Sequence, residues 1–145
     1  MTNLQYAEFL SDEELQKVAP LLKRLQKLDV QEESQKNFLK FVHRIWSEFI
    51  QGKHHKIYAD KLQQVADGKL KRLIVNMPPR HTKSEFASYL FPAWLMGKRP
   101  DLKIIQATHT AELAVGFGRK VKNLIDSEDF RDIFPSVKLA SDAKA

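Results

Sequence analysis

The five residues from Leu73 to Met77 form a short apolar run that is rich in β-branched side chains. The run is too short for an independent helix and has the composition of a strand buried on both faces. A similar run, Lys103 to Thr108, follows a helical pattern from Ser84 to Met96. Because the order strand, helix, strand, helix favours parallel strands with right-handed crossovers, we predict an α/β fold with a parallel sheet.

Two strands alone do not form a stable sheet. We therefore expect this sheet to be incomplete, with the chain ending after its second strand-helix unit. Thr110 is positioned to cap the helix after the second strand. Ser127 begins a short final turn that Pro135 stops.

The N-terminal half has a helical pattern. Ser11 to Glu14 form a capping box, and Pro20 predicts a kink or a break in the helix that follows. Asp29 and Glu32 form a second capping signal. A third helix is predicted from Ile57 to Ala66, with Gly68 as its stop. An aromatic and aliphatic stripe on the second helix is typical of a packed core: Phe38, Phe41, Val42, Ile45, Trp46, Phe49 and Ile50.

Composition restricts the partners and the kind of site. The net charge is +6, which favours contact with a polyanion such as nucleic acid. The chain contains no cysteine, so disulfides and thiolate metal sites are excluded. No apolar run approaches the roughly 20 residues that a membrane span requires.

The segment from Met77 to Ser84 has the outline of a phosphate-binding loop, because it joins a predicted strand to a predicted helix that opens with Lys83-Ser84. Both glycines of the usual G-x-x-x-x-G-K-[ST] pattern are missing, since Met77 and Thr82 occupy their positions. A β-branched threonine at positive φ is strained and crowds an approaching phosphate. The alternative is a plain turn with a solvated Lys83.

The motif Pro-Pro-Arg-His-Thr-Lys-Ser at residues 78–84 resembles the large terminase subunit of tailed bacteriophages, which commonly has glycine in place of Thr82. The resemblance extends from about His54 to the C-terminus. It implies a helical N-terminal subdomain at 1–69 and the first, incomplete part of a P-loop NTPase-type ATPase domain at 70–145. In that family the ATPase translocates double-stranded DNA into a procapsid, and a C-terminal RNase H-like nuclease cuts the DNA.

The resemblance also implies roles for individual residues. Lys83 would hold the β and γ phosphates of ATP, Ser84 would ligate Mg²⁺, and Arg80 would stabilise charge on the transferring phosphate as a catalytic residue. His54 and His55 match a histidine pair of the family, with a structural or adenine-proximal role. The full ATP-binding set that the resemblance implies is Pro79, Arg80, His81, Thr82, Lys83 and Ser84.

Hydrolysis also needs an acid at the end of an apolar strand to hold Mg²⁺. The one comparable position, Asp126, falls at a helix end, and the carboxylates of the nuclease are missing. We therefore expect little or no ATP hydrolysis by this chain alone. The resemblance implies as partners double-stranded viral DNA, the portal protein, the small terminase subunit and a homo-oligomeric ring, without a membrane. It places the protein in the host cell cytoplasm, at the procapsid.

Two alternatives remain open at this point. One is a helicase-like ATPase that works outside DNA packaging, since its front half would have the same pattern. The other is a helical docking module around residues 11–50 that hydrolyses nothing and recruits another packaging component.

Overall fold

A computed structural model describes residues 12–140, with side chains from residue 16 onward. The chain divides into two compact units, Met1–Glu32 and Glu33–Ala145. The predicted capping role of Ser11 lies outside the described residues. The regular elements of the described part are six α-helices and one π-helix: α1 (Asp12–Lys36), α2 (Phe38–Ile45), α3 (Lys53–Ala66), the π-helix (Glu85–Leu90), α4 (Phe91–Lys98), α5 (Ala111–Ile125) and α6 (Glu128–Ile133).

The predicted α/β fold with a P-loop-type parallel sheet is wrong for this structure. The runs 73–77 and 103–108 are extended, but residues 12–140 contain no strand, and neither run makes a backbone–backbone hydrogen bond within that range. A strand requires a neighbour, and neither run has one here. Each run instead covers the helices with one face only, so that Ile74 and Ile105 remain 88% and 93% exposed.

The predicted second helix start at Asp29 and Glu32 is wrong, and of the two alternatives at Pro20, a kink or a break, the break does not occur. Helix α1 continues through Pro20 and past Asp29 to Lys36. The chain leaves the helix at Asn37, whose side chain caps α2 by accepting the N–H of Lys40 at 3.0 Å. An asparagine with extended backbone angles satisfies a free helix N–H at little cost, so the break occurs here.

Two side chains bind main-chain groups on either side of this break. The N–H of Phe38 donates to the side-chain oxygen of Gln63 at 3.0 Å. The indole N–H of Trp94 donates to the carbonyl of Ser34 at 2.9 Å, in the buried interior. These two bonds attach the start of α2 to α3 and the last turn of α1 to α4. The break is thereby part of the packing of the second unit.

Aromatic side chains form the centre of the second unit. Phe38 is fully buried, and its ring centroid lies 5.6, 5.4 and 5.4 Å from those of Phe86, Phe91 and Trp94. The predicted core role of Phe38, Phe41, Val42 and Phe49 is confirmed, since all are buried. It is wrong for Ile50, which is 88% exposed because α2 ends at Ile45.

The helix after the loop contains a π-helical segment that the sequence pattern did not indicate. It runs from Glu85 to Leu90 and continues directly into α4. Pro92, near the start of α4, has no N–H to donate to the carbonyl of Ser88 four residues earlier. The side-chain amide of Gln106 donates to that carbonyl at 2.7 Å. This bond attaches the extended run 103–108 to the helix.

The remaining caps agree with the sequence. Thr110 accepts the N–H of Leu113 at 3.3 Å at the start of α5, and Ser127 accepts the N–H of Phe130 at 3.3 Å at the start of α6. Gly68 follows α3 with a φ of +73°, a conformation that glycine adopts without strain. The predictions for these three positions are confirmed. Among residues 12–140, no helix is long and apolar enough to cross a membrane.

The Gln106 bond can be tested by substitution. We expect Gln106→Met to lower the free energy of unfolding by about 1 kcal/mol, because the part-buried Ser88 carbonyl loses a donor. Lys103→Met, in the same run but exposed, is the matched control and should change it by less than about 0.5 kcal/mol. Urea denaturation measures both values. Equal effects of the two substitutions would show that the Gln106 bond does not hold the run.

Candidate functional site

The loop from Pro79 to Ser84 contains two residues in the left-handed region of backbone conformation. Arg80 has a φ of +62° and Thr82 a φ of +58°, and neither is glycine. This conformation costs an L-residue about 1–2 kcal/mol, and more strain is expected for the β-branched threonine. At residue 82, where the family that the sequence resembles commonly has glycine, the backbone thus adopts a conformation that favours glycine.

Neighbouring groups hold the loop in this path. The carbonyl of Thr82 accepts the N–H of Phe86 at 3.0 Å, and its hydroxyl donates to the carbonyl of His81 at 2.7 Å. One ring nitrogen of His81, Nδ1, lies 2.8 Å from the carbonyl of Pro79. The hydroxyl of Tyr58, on α3, donates to the carbonyl of Lys83 at 3.3 Å. The strained loop is therefore fixed both locally and from α3.

The start of the following helix offers main-chain donors. The amide N–H groups of Lys83 and Ser84 have no hydrogen-bond acceptor within the described part of the chain, and both residues are exposed. Unpaired N–H groups in the first helical turn carry partial positive charge and favour anions. A lysine in the same turn adds a full positive charge. Chemically, this arrangement can bind a phosphate.

All six predicted ATP-binding residues lie in this one loop. Thr82 is half-buried, and the other five are exposed. Three surface cavities, of about 720, 790 and 390 Å³, lie elsewhere, and no loop residue lines any of the three. A ligand at the loop would therefore lie outside these three cavities.

The predicted magnesium position has few protein ligands around it. The carboxylate of Glu85, next to Ser84, lies 3.1 Å from the ammonium group of Lys120. Among the described residues, no group of three or more histidine or acidic side chains is arranged to hold a metal ion. A magnesium ion at the Ser84 hydroxyl would take its other ligands from phosphate oxygens and water, as Mg²⁺ often does in proteins.

Asp126, the one candidate for a second metal-binding acid, lies far along the chain from the loop, at the C-terminal end of α5. Its carboxylate pairs with the guanidinium group of Arg131. Both side chains are about half exposed, so this ion pair contributes little to stability. The sequence position most similar to the acid that hydrolysis requires is therefore engaged in an ion pair outside the loop.

Three histidines come together beside the loop. The ring centroid of His54 lies 3.8 Å from that of His55 and 5.6 Å from that of His81. The Nδ1 atom of His55 accepts the N–H of Gly52 at 2.9 Å at the start of α3. Its Nε2 atom is buried and has no hydrogen-bond partner in the described part of the chain. His54 thus contacts the loop through His81, and His55 has a capping role at the start of α3.

Burial lowers the pKa of His55, and the nearby charges of His54 and His81 lower it further. Burial also raises the pKa of Tyr58 to about 12, so this hydroxyl keeps its proton and remains a donor to the loop. Sequence reasoning missed Tyr58, because a tyrosine in a helical pattern gives no signal that its hydroxyl reaches a distant carbonyl. It also missed the contact between His54 and His81, which depends on how α3 packs.

Comparison with known proteins gives no relative for this chain. No family model matches it, and no curated protein or solved structure matches it either.

The strain at Thr82 can be tested with two glycine substitutions that should change the free energy of unfolding in opposite directions. We expect Thr82→Gly to raise the free energy of unfolding by about 1 kcal/mol, because glycine adopts positive φ without a Cβ clash. Ser84→Gly is the control, since Ser84 has helical angles of −72° and −34°. There glycine should lower stability by about 0.5–1 kcal/mol. Thermal or urea unfolding measures both, and destabilisation by Thr82→Gly would contradict a strained loop.

The lowered pKa of His55 predicts acid sensitivity. The unfolded chain binds a proton at His55 near pH 6.5, whereas the folded chain binds it only at lower pH. The stability that depends on neutral His55 is therefore fully present above pH 6.5 and is lost as the pH falls through the folded pKa.

Urea unfolding at a series of pH values below 6.5 tests this sensitivity. We expect stability to fall less steeply with pH in His55→Phe than in the original chain. Asn123→Ala, at an exposed residue without a titratable group, is the control and should keep the original pH dependence. An identical pH dependence in His55→Phe and the original chain would contradict this role of His55.

Proposed function

We propose that this chain binds ATP with Mg²⁺ at the loop Pro79–Ser84, as the front part of the ATPase of a viral DNA-packaging terminase. The observation that carries the proposal is the backbone of Thr82, whose φ of +58° lies in the left-handed region that glycine adopts without strain. The resemblance at residues 78–84 motivates the choice of ligand. The paired sheet of that family is no part of the argument, because the described residues do not form it.

Three of the predicted residues, Arg80, Lys83 and Ser84, have roles that their positions support. The amides of Lys83 and Ser84 donate to phosphate oxygens, and the ammonium group of Lys83 neutralises their charge. The Ser84 hydroxyl ligates the magnesium that accompanies the nucleotide. Arg80 precedes these residues in the same exposed loop and adds a second positive charge, which would stabilise charge on the transferring phosphate.

Binding and hydrolysis are separate expectations. Asp126 is paired with Arg131, and Glu85 lies against Lys120. Because both of these carboxylates are paired with basic side chains, we expect the chain to bind nucleotide but to turn it over slowly or not at all. The complete protein would couple hydrolysis to movement of double-stranded DNA, together with the portal protein and the small terminase subunit. It would act in a homo-oligomeric ring at the procapsid, in the host cell cytoplasm.

The charge of the chain supports contact with DNA. With a net charge of +6, the chain is attracted to the phosphate backbone of a duplex, and this attraction weakens with added salt. The exposed Arg119 on α5 is free to contribute to such a contact, whereas the neighbouring Lys120 is held by Glu85.

Calorimetric titration with ATP and Mg²⁺ tests the proposed site. We expect Lys83→Ala to weaken binding by at least about tenfold, because a charge-assisted bond to phosphate contributes about 1.5–3 kcal/mol. Lys138→Ala removes an equal charge from an exposed position outside the loop, and it should leave binding unchanged. Equal affinity of the Lys83→Ala variant and the original chain would remove Lys83 from the site and refute the proposal.

A further inference from the structure

The surface of α1 carries a stripe of exposed leucines. Leu21, Leu25 and Leu28 are 59%, 51% and 50% exposed. With the half-buried Val18, they are spaced by three, four and three residues along the helix. This is the spacing of the a and d positions of a heptad repeat, which place apolar side chains on one narrow seam. A seam of this kind is suited to a second helix.

The heptad positions also fix where charges stand beside the seam. With Val18 and Leu25 at a, Arg24 falls at g and Asp29 at e. In a parallel pair of helices, a residue at g lies next to the e residue five positions later on the partner. Arg24 of one copy would then face Asp29 of the other, and the reverse contact would form by symmetry.

Neither of these charged residues is engaged within one copy. Both side chains are exposed, and neither has an ion-pair or hydrogen-bond partner in the described part of the chain. The seam also has a defined end, because Glu32 occupies the next a position, where two copies would repel. Apolar spacing and charge complementarity therefore select the same partner, a second copy of this helix in parallel register.

We propose that α1 pairs with α1 of a second copy as a short parallel coiled coil, from Val18 to Leu28. The seam has only four apolar layers, so the association is reversible and concentration-dependent. The pairing does not depend on the proposed nucleotide site, because it uses none of the loop residues.

Sedimentation equilibrium of the whole chain over a range of concentrations tests the association. We expect a reversible monomer–dimer equilibrium that Leu25→Glu abolishes. Ala19→Glu makes the same change in charge on an exposed position outside the seam and should leave the dimer intact. A chain that stays monomeric at the highest soluble concentration, or a dimer unaffected by Leu25→Glu, overturns the proposal.

Charge reversal tests the register. Arg24→Glu alone should weaken the dimer by about tenfold, because two attractive contacts become repulsive. Asp29→Arg alone should do the same, and the two substitutions together should restore the original affinity. This result needs no change in the apolar seam, so it is independent of any folding defect in Leu25→Glu. Failure of the double substitution to restore the dimer would refute the parallel register.

Disulfide cross-linking tests the orientation, since the chain has no cysteine of its own. A parallel pair places d residues of the two copies opposite each other, so Leu28→Cys should form a covalent dimer on mild oxidation. Lys23→Cys, at an outward-facing position, is the control and should remain largely monomeric. Equal cross-linking of the two variants would contradict the proposed pairing.

Discussion

The candidate site depends on the packing of the Phe86 side chain in the core. Its ring lies 5.6 Å from Phe49, 5.5 Å from His55 and 5.7 Å from Tyr58, measured between ring centroids, and it is fully buried. The same residue donates its N–H to the carbonyl of Thr82. One side chain thus fixes the helix after the loop against α3, while its main chain closes the loop. Strain at two positive-φ residues persists because this packing holds the C-terminal end of the loop.

The loop and the histidine cluster belong to one arrangement. Tyr58 and His55 lie on the same helix, three residues apart, and reach the loop and its aromatic support. Tyr58 binds the Lys83 carbonyl, so that carbonyl points toward α3. The amides of Lys83 and Ser84, which have no acceptor among the described residues, remain available on the exposed side. The strain in the loop and the availability of its amides therefore have the same origin.

Local signals in the sequence were sufficient to predict the caps of α5 and α6, the glycine after α3 and most of the core positions. Thr110, Ser127 and Gly68 act through backbone groups a few residues away, so their roles follow from the sequence alone. The apolar runs 73–77 and 103–108 show the limit of such reasoning. Composition indicates that a segment can be a strand, but pairing depends on a neighbour, which the described residues do not provide. The Gln106 bond joins residues 18 positions apart in the sequence, and no local pattern indicated this bond or the π-helix.

Amide chemical shifts in a nitrogen–proton correlation spectrum test the central claim most directly, because they report on individual main-chain N–H groups. The claim is that the amides at the start of the helix, in particular those of Lys83 and Ser84, bind phosphate. On addition of ATP with Mg²⁺, the largest shifts should occur between Thr82 and Glu85, and amides of α6 should remain unchanged. If the amides of Lys83 and Ser84 stay unshifted while ATP binds elsewhere, or if no amide shifts at all, the claim is wrong.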